Sequence, residues 1–501
     1  MDVFSGCRSG LCKSVSIALA LGAALVPFVL SEPASALPSY ARQTGQPCGT
    51  CHTDFPALTP YGRRFKLLGY TTGGGPYRTT PFSRSPSTGV VSDVGALADY
   101  ARGGESPPSA EKVWVPPISA MAIEGYTHTQ APLPPPVAPY QPNDNVVLAP
   151  FSFFYAGAIT EHIGAFAQVT YGGPPAGGFG GDPFGHTWGW DNMDIRFADV
   201  RTIGGIEVIY GITANNNPTV QDVWNTTPAW AFPYAVSTLA PTPATATIIE
   251  GAFAAHVVSG GAYAYINNML YLEGSSYWTL NPSTQNALGA DPFDAPGLIA
   301  GAAPYWRVAL EPHWNNNWLM IGTFGMYTRV NPWVAAGTPS TATFSQVDSF
   351  TDFGYDAQYQ YQGSNFWLTL RGSYIREFQN LDASFTNGAA ANPTNRLNSL
   401  RLQGSLALGG DNRVVLTGQY FDTWGTPDPL LYSSLASGNS PNSNGWITEI
   451  AYIPFGTSFA PGWPWANLRL GLQYTWYDKF DGTTVGAHNN DTLFLHAWMA
   501  F

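Results

Sequence analysis

From about residue 113 onward the chain repeats one pattern, short runs in which apolar and polar side chains alternate. In 467–477, Leu468, Leu470, Leu472, Tyr474 and Trp476 oppose Asn467, Arg469, Gln473 and Thr475. In 366–374, Phe366, Leu368, Leu370 and Tyr374 oppose Thr369, Arg371 and Ser373, and in 352–361, Phe353, Tyr355, Ala357, Tyr359 and Tyr361 oppose Asp352, Asp356, Gln358 and Gln360. A period of two places one set on each face of a β-strand, so one face suits lipid and the other water. Charged residues are 11% of the chain and aromatics 14%, against roughly 25% charge in ordinary soluble domains. A large soluble all-β domain would carry more surface charge. After residue 31 no apolar run approaches the ~18 residues of a spanning helix, so a membrane crossing must be made by strands. Together these features predict an all-β fold, an antiparallel transmembrane β-barrel.

Alternation and turn residues place strands at 113–128, 147–160, 163–172, 191–203, 206–214, 247–259, 261–273, 302–312, 317–329, 349–361, 366–378, 397–408, 413–424, 445–454, 467–479 and 490–501, sixteen in all. Strand 317–329 is the least distinct, because both of its faces are apolar. Short turns fall at Glu161-His162, Gly204-Gly205, Gly260, 362–365 and 409–412, and longer loops alternate with them. Short turns belong on the periplasmic side and long loops outside, which puts both termini in the periplasm. The last strand carries Leu493, Leu495, Ala497, Met499 and Phe501 on one parity, resembling the terminal aromatic signal of outer-membrane barrels.

Ahead of the barrel, residues 1–36 read as an export signal: Arg8 and Lys13, an apolar stretch from Val15 to Leu30, then Ala34-Ser35-Ala36 as a cleavage site. Its charges cancel, so the mature chain keeps the net charge of −12. With no basic patch, a nucleic-acid partner is disfavoured, while cations are attracted. Residues 72–112 are rich in Gly, Pro, Ser and Thr and read as a linker.

Between signal and linker, residues 37–71 hold Cys48-Gly49-Thr50-Cys51-His52, with no other cysteine in the mature chain. C-x-x-C-H is the attachment motif of c-type haem, in which the thiols bind the porphyrin and the histidine is the proximal iron ligand. A thioredoxin-like redox pair would need a βαβ context that is absent here. Cys48, Cys51 and His52 are thus the expected cofactor-binding residues for one covalently attached haem c. Thr59-Pro60 and Gly69 bound a short helix at about 60–68. Tyr61, Phe65 and Leu68 are expected to cover the haem, and Arg63, Arg64 and Lys66 to pair with propionates or face solvent. A segment of this length is too short for a core of its own, which places it against or inside the barrel.

Tyr40-Ala41-Arg42-Gln43-Thr44-Gly45 before the motif, and Phe55-Pro56, Leu58, Gly62-Arg63, Phe65-Lys66 and Gly69-Tyr70 after it, resemble the outer-membrane monohaem cytochrome–porin fusion family of iron-oxidising bacteria. The stretch from Tyr210 to Trp230 is similar to the same family, so the likeness reaches both halves of the chain. The resemblance implies a small cytochrome preceding a 16-stranded porin that accepts electrons from extracellular Fe(II). It also implies a periplasmic electron carrier, a cytochrome or copper protein, as acceptor, and an Fe(II):cytochrome c oxidoreductase activity. Two other readings stand beside it: a haem porin exchanging electrons with a different extracellular partner, and a passive diffusion porin.

No Met or His follows His52 until Met121, so a protein-derived distal iron ligand must come from the barrel. Met121 shares the parity of Val115 and Ile123 and is expected to face lipid. His128, in register with Glu124, is the preferred distal ligand, with His256 and His496 as alternatives. Glu124, Asp194, Asp352, Asp356 and Asp222 offer hard oxygen ligands that attract Fe(II).

Overall fold

The computed structural model describes residues 37–71, 90–91, 113–114, 117–133, 140–172, 187–334, 345–459 and 462–501. The export signal and most of the 72–112 linker lie outside this range. Sixteen antiparallel strands close into a barrel. They are β1 (Ile118–Thr129), β2 (Asn145–Ala158), β3 (Ile163–Tyr171), β4 (Trp188–Ile203), β5 (Ile206–Asn215), β6 (Val257–Ile266), β7 (Leu270–Thr279) and β8 (Ala303–Leu310). The second half runs β9 (Asn317–Pro332), β10 (Asp348–Gln362), β11 (Phe366–Asn380), β12 (Thr394–Leu408), β13 (Val414–Gly425), β14 (Ser443–Tyr452), β15 (Asn467–Lys479) and β16 (Thr492–Ala500). Each strand pairs with the next in sequence, and β16 pairs with β1 from Thr492↔Thr129 to Ala500↔Met121. Closure leaves no open sheet edge, which a hydrocarbon surround requires.

The alternation seen in the sequence becomes inside and outside. Ile212, Ile321, Tyr355 and Ile450 on the outer face are each more than half exposed, whereas Asp194, Arg196, Arg307 and Gln360 on the inner face are fully buried. Near the long-loop end, outward aromatics pack in contact with one another, Tyr420 on Trp446, Trp446 on Trp476 and Tyr374 on Trp424, forming part of an interfacial girdle. No described helix is long and apolar enough to cross a membrane.

The lumen is filled from both ends. Residues 37–71 form a plug at the short-turn end, and the 216–256 loop between β5 and β6 folds inward to meet it. This loop corrects one expectation: the strand placed at 247–259 begins only at Val257, and 247–256 belongs to the loop. Ile248, Ile249 and Phe253 are buried in a cluster with Phe324, Met326 and Val330 of β9, which also explains why β9 is apolar on both faces. The expected turn at Gly260 is instead strand, with Gly260 opposite Ser276. The hairpin turns at Asn267 and Asn268, whose φ values of 55° and 50° are those of a primed turn that asparagine tolerates. Gly261 serves close packing, since a Cβ there would lie 2.0 Å from Ser275 Oγ.

Candidate haem site

The plug is built from three short helices. The first, α1 (Pro38–Thr44), stops at Gly45 in the left-handed conformation, whose N–H bonds to the Ala41 carbonyl. The second, α2 (Cys48–Cys51), is one turn carrying both thiols, and the His52 N–H bonds to the Cys48 carbonyl. Separation by three residues on a helical turn puts the cysteines on the same side. The third, α3 (Pro60–Leu67), starts at Thr59, whose Oγ1 accepts the Gly62 N–H at 3.1 Å. Thr59 also ties this helix to the motif: its hydroxyl donates to the Thr50 carbonyl at 2.6 Å and its N–H to the Cys51 carbonyl at 2.9 Å. Gly62 is required at this crossing, because a Cβ would sit 2.2 Å from the Cys51 carbonyl oxygen.

Polar contacts hold the plug to walls all around the barrel. Ser39 N–H donates to Ser119 Oγ at 2.9 Å, and Gln43 bonds both the Ala156 carbonyl and the Ala158 N–H. Gly49 N–H reaches the Thr457 carbonyl at 2.7 Å, and Trp463 donates to the Gln46 carbonyl at 3.0 Å. Arg469 of β15 joins Glu449 at 2.6 Å to Asp54 at 3.5 Å. On the opposite wall Arg63 pairs with Glu311, and Arg64 with Glu207 at 2.7 Å.

Cys48, Cys51 and His52 line one cavity of about 310 Å³ between the plug, β1 to β3, β16 and the inward loop, a size in the range of ligand pockets. Its walls are largely aromatic: Tyr40, Phe65, Phe166, Trp230 and Trp498. His52 Nδ1 lies 3.2 Å from the Pro56 carbonyl. A carbonyl only accepts, so this contact puts the proton on Nδ1 and leaves Nε2 its lone pair. Burial pulls the His52 pKa down to about 4, keeping the ring neutral near neutral pH. Two thiols not joined by a disulfide, a neutral imidazole with its outer nitrogen bonded, and an apolar cavity beside all three fit a covalently attached haem c.

Other expected site residues are placed differently. On α3, Phe65 lines the cavity, but Tyr61 is exposed and Leu68 packs in a separate cluster with Trp224 and Tyr271. The cavity face of the helix is Gly62, Phe65 and Lys66, a helical i, i+3, i+4 set. Arg63 and Arg64 point to the barrel wall; Lys66 alone of the three basic residues reaches the cavity, donating to the Val220 and Asp222 carbonyls at 2.7 and 2.8 Å. Burial draws the Lys66 pKa down to about 7.

His128 is not at the cavity. It lies near the long-loop end of β1, half-exposed, with Nδ1 2.7 Å from Asp144, and shares its face with Tyr126, which bonds the same Asp144. The inner face of β1 is the other parity: Ser119, Met121, Ile123 and Thr127, the last bonded to Ser237 of the inward loop. The parity expectation failed because the apolar Ile123 was assigned to lipid, whereas the plugged lumen is itself apolar there. Met121 lines the cavity. Its parity with Ser119 and Thr127 was the available signal. His256 bonds Gln285, and His496 lies 3.4 Å from Glu449; neither lines the cavity. Among the carboxylates, Asp194 is held by Arg196, Tyr70 and Thr213. Asp222 and Asp356 share Arg307 at 3.3 and 2.6 Å, and Asp352 faces Glu377 across β10 and β11. Glu124 is on the outer parity with His128.

Fold and site together define a membrane-spanning β-barrel of sixteen strands whose lumen holds an N-terminal C-x-x-C-H plug. No family model and no curated protein matches the chain. Similar solved structures include OmpT of Vibrio cholerae, folded in vitro, at 8% identity and a TM-score of 0.40 over 77% of this chain and 98% of that one. Pseudomonas putida OprB is similar at 12% identity and 0.40, over 77% of this chain and 94% of that one. The outer membrane channel DcaP of Acinetobacter baumannii is similar at 10% and 0.41, over 77% and 96%.

Proposed function

We propose that this chain is an outer-membrane c-type cytochrome that takes electrons from an extracellular donor, Fe(II), and passes them through one haem to a periplasmic carrier, a cytochrome or copper protein. The observation that supports this reading best is the position of Cys48, Cys51 and His52, on one cavity inside a closed membrane barrel. A bound haem c would supply one-electron chemistry, with the protein setting its potential and access. Cys48 and Cys51 would hold it, His52 Nε2 would ligate the iron, and Phe65, Trp230 and Trp498 would keep water from its faces. The motif lies at the short-turn end, and the loop asymmetry supports reading that end as periplasmic, so the acceptor would dock beside 453–459. Passive diffusion requires an open lumen; here Arg63, Arg469 and the inward loop cross-link it.

Anaerobic mixing of the purified, oxidised protein with Fe(II), followed by absorbance, tests the reading. Rapid reduction of the haem at the organism's own pH is expected. Haem that stays oxidised under Fe(II) but is reduced by dithionite would refute the iron-oxidising function and leave the haem barrel intact.

A further inference from the structure

We propose that the thioether of Met121 would hold the haem iron as its second protein ligand, together with His52. This rests on the reading of 48–52 as a haem site and goes beyond it, because the motif supplies only one axial ligand.

Three observations converge on Met121. The first is its direction: β1 turns Met121 inward, in register with Ala500 on β16 and Ser152 on β2, two small neighbours that leave its side chain room. The second is its surroundings. Met121 packs against both buried clusters flanking the cavity, that of Phe65, Tyr70, Phe154 and Phe166 on one side and that of Ile123 and Trp498 on the other. A flexible, polarizable thioether suits such a position.

The third is elimination among the donors. Of the described methionines and histidines, only Met121 and His52 line this cavity. The remaining ligand types that line it are already engaged. Tyr40 donates to the Ala165 carbonyl, Tyr70 to Asp194, and Tyr234 accepts from Arg371. Lys66 is held by two carbonyls, and Asp222 by the Trp224 and Thr226 N–H groups and by Arg307. A neutral sulfur ligand in an apolar cavity disfavours the extra positive charge of ferric iron. His/Met ligation therefore raises the haem potential, as a carrier drawing electrons from a weak reductant such as Fe(II) needs.

The test uses the full mature chain purified with its haem, together with Met121→Leu and Met121→His. Heat-modifiable gel mobility verifies barrel closure and haem staining verifies attachment in each. The wild-type ferric protein should be low-spin and show the weak far-red sulfur-to-iron charge-transfer band. Met121→Leu should lose that band, become high-spin and shift to lower potential. Met121→His should regain the low-spin spectrum without the band, also at lower potential, and carries the test alone if the leucine variant does not close. A wild-type ferric haem that is high-spin, or a low-spin spectrum and far-red band that survive either substitution, would overturn the assignment of Met121 alone. A wild-type chain without covalent haem would instead overturn the haem site on which it rests.

Discussion

The ion pair between Arg63 and Glu311 makes the docking of the plug measurable. The Arg63 side chain is 2% exposed and that of Glu311 5%, and Arg63 also bonds Gln360 of β10. Replacing Arg63 by Met strands the Glu311 carboxylate in the lumen with the Tyr265 hydroxyl as its remaining donor, at 3.0 Å. Breaking one side of a buried pair costs about 3–5 kcal/mol. At about 1.36 kcal/mol per decade, that shifts docked against undocked plug by on the order of a hundredfold or more. Removing both charges, as in Arg63→Met with Glu311→Leu, should recover most of the loss, since apolar replacement of a whole buried pair is often neutral. Limited proteolysis of segment 37–71 in detergent-solubilised barrels reads the undocked fraction, and single-channel conductance reads the opened lumen. Cleavage and conductance should rise in Arg63→Met and fall back in the double variant. An Arg63→Met protein as protected and closed as wild type would refute the reasoning, as would a double variant worse than the sum of its parts.

Further expectations follow from single residues. Gly62→Ala forces a Cβ onto the Cys51 carbonyl, so α3 must separate from the motif and haem content per barrel should drop; unchanged content would show that the crossing is not tight. His52→Ala should leave the barrel closed by gel mobility while abolishing the native haem spectrum. In the long loops, partial burial opposes ionisation of Asp428, but the Leu431, Ala391 and Asn392 N–H groups and Asn395 outweigh it and hold the carboxyl down to about 2. The ordinary value is about 3.9, so its contribution is fully present above that value and is lost as pH falls through about 2. Asp428→Asn should therefore expose loops 381–393 and 426–442 to protease at pH values where the wild type resists.

The barrel was legible because lipid imposes a strict period of two, and nearly all strands begin and end within a few residues of their sequence assignments. Reading failed where the lumen departs from water. Ile248 and Phe253 look like strand residues, yet they are core of an inward loop, and Gly260, expected as a turn, is paired strand. The same departure inverted β1: Ile123 faces inward because the lumen is filled, so Met121 was assigned to lipid and His128 to the interior. The Cys48–His52 pattern can be read directly, because it occupies five consecutive residues. Its surroundings cannot, since Trp230, Met121 and Trp498 come from three separate parts of the sequence. Within Tyr210 to Trp230, the residues up to Asn215 are barrel strand β5, and those from 216 on enter the lumen and line the cavity at Asp222, Asn225 and Trp230.

The central claim is that a haem sits covalently on the plug inside the barrel, and peptide mass measurement on the exported, mature protein tests it most directly. A proteolytic peptide containing Cys48 to His52 should carry the mass of one haem, with neither thiol open to alkylation. A peptide of unmodified mass with both cysteines alkylated, or joined to each other, would contradict it.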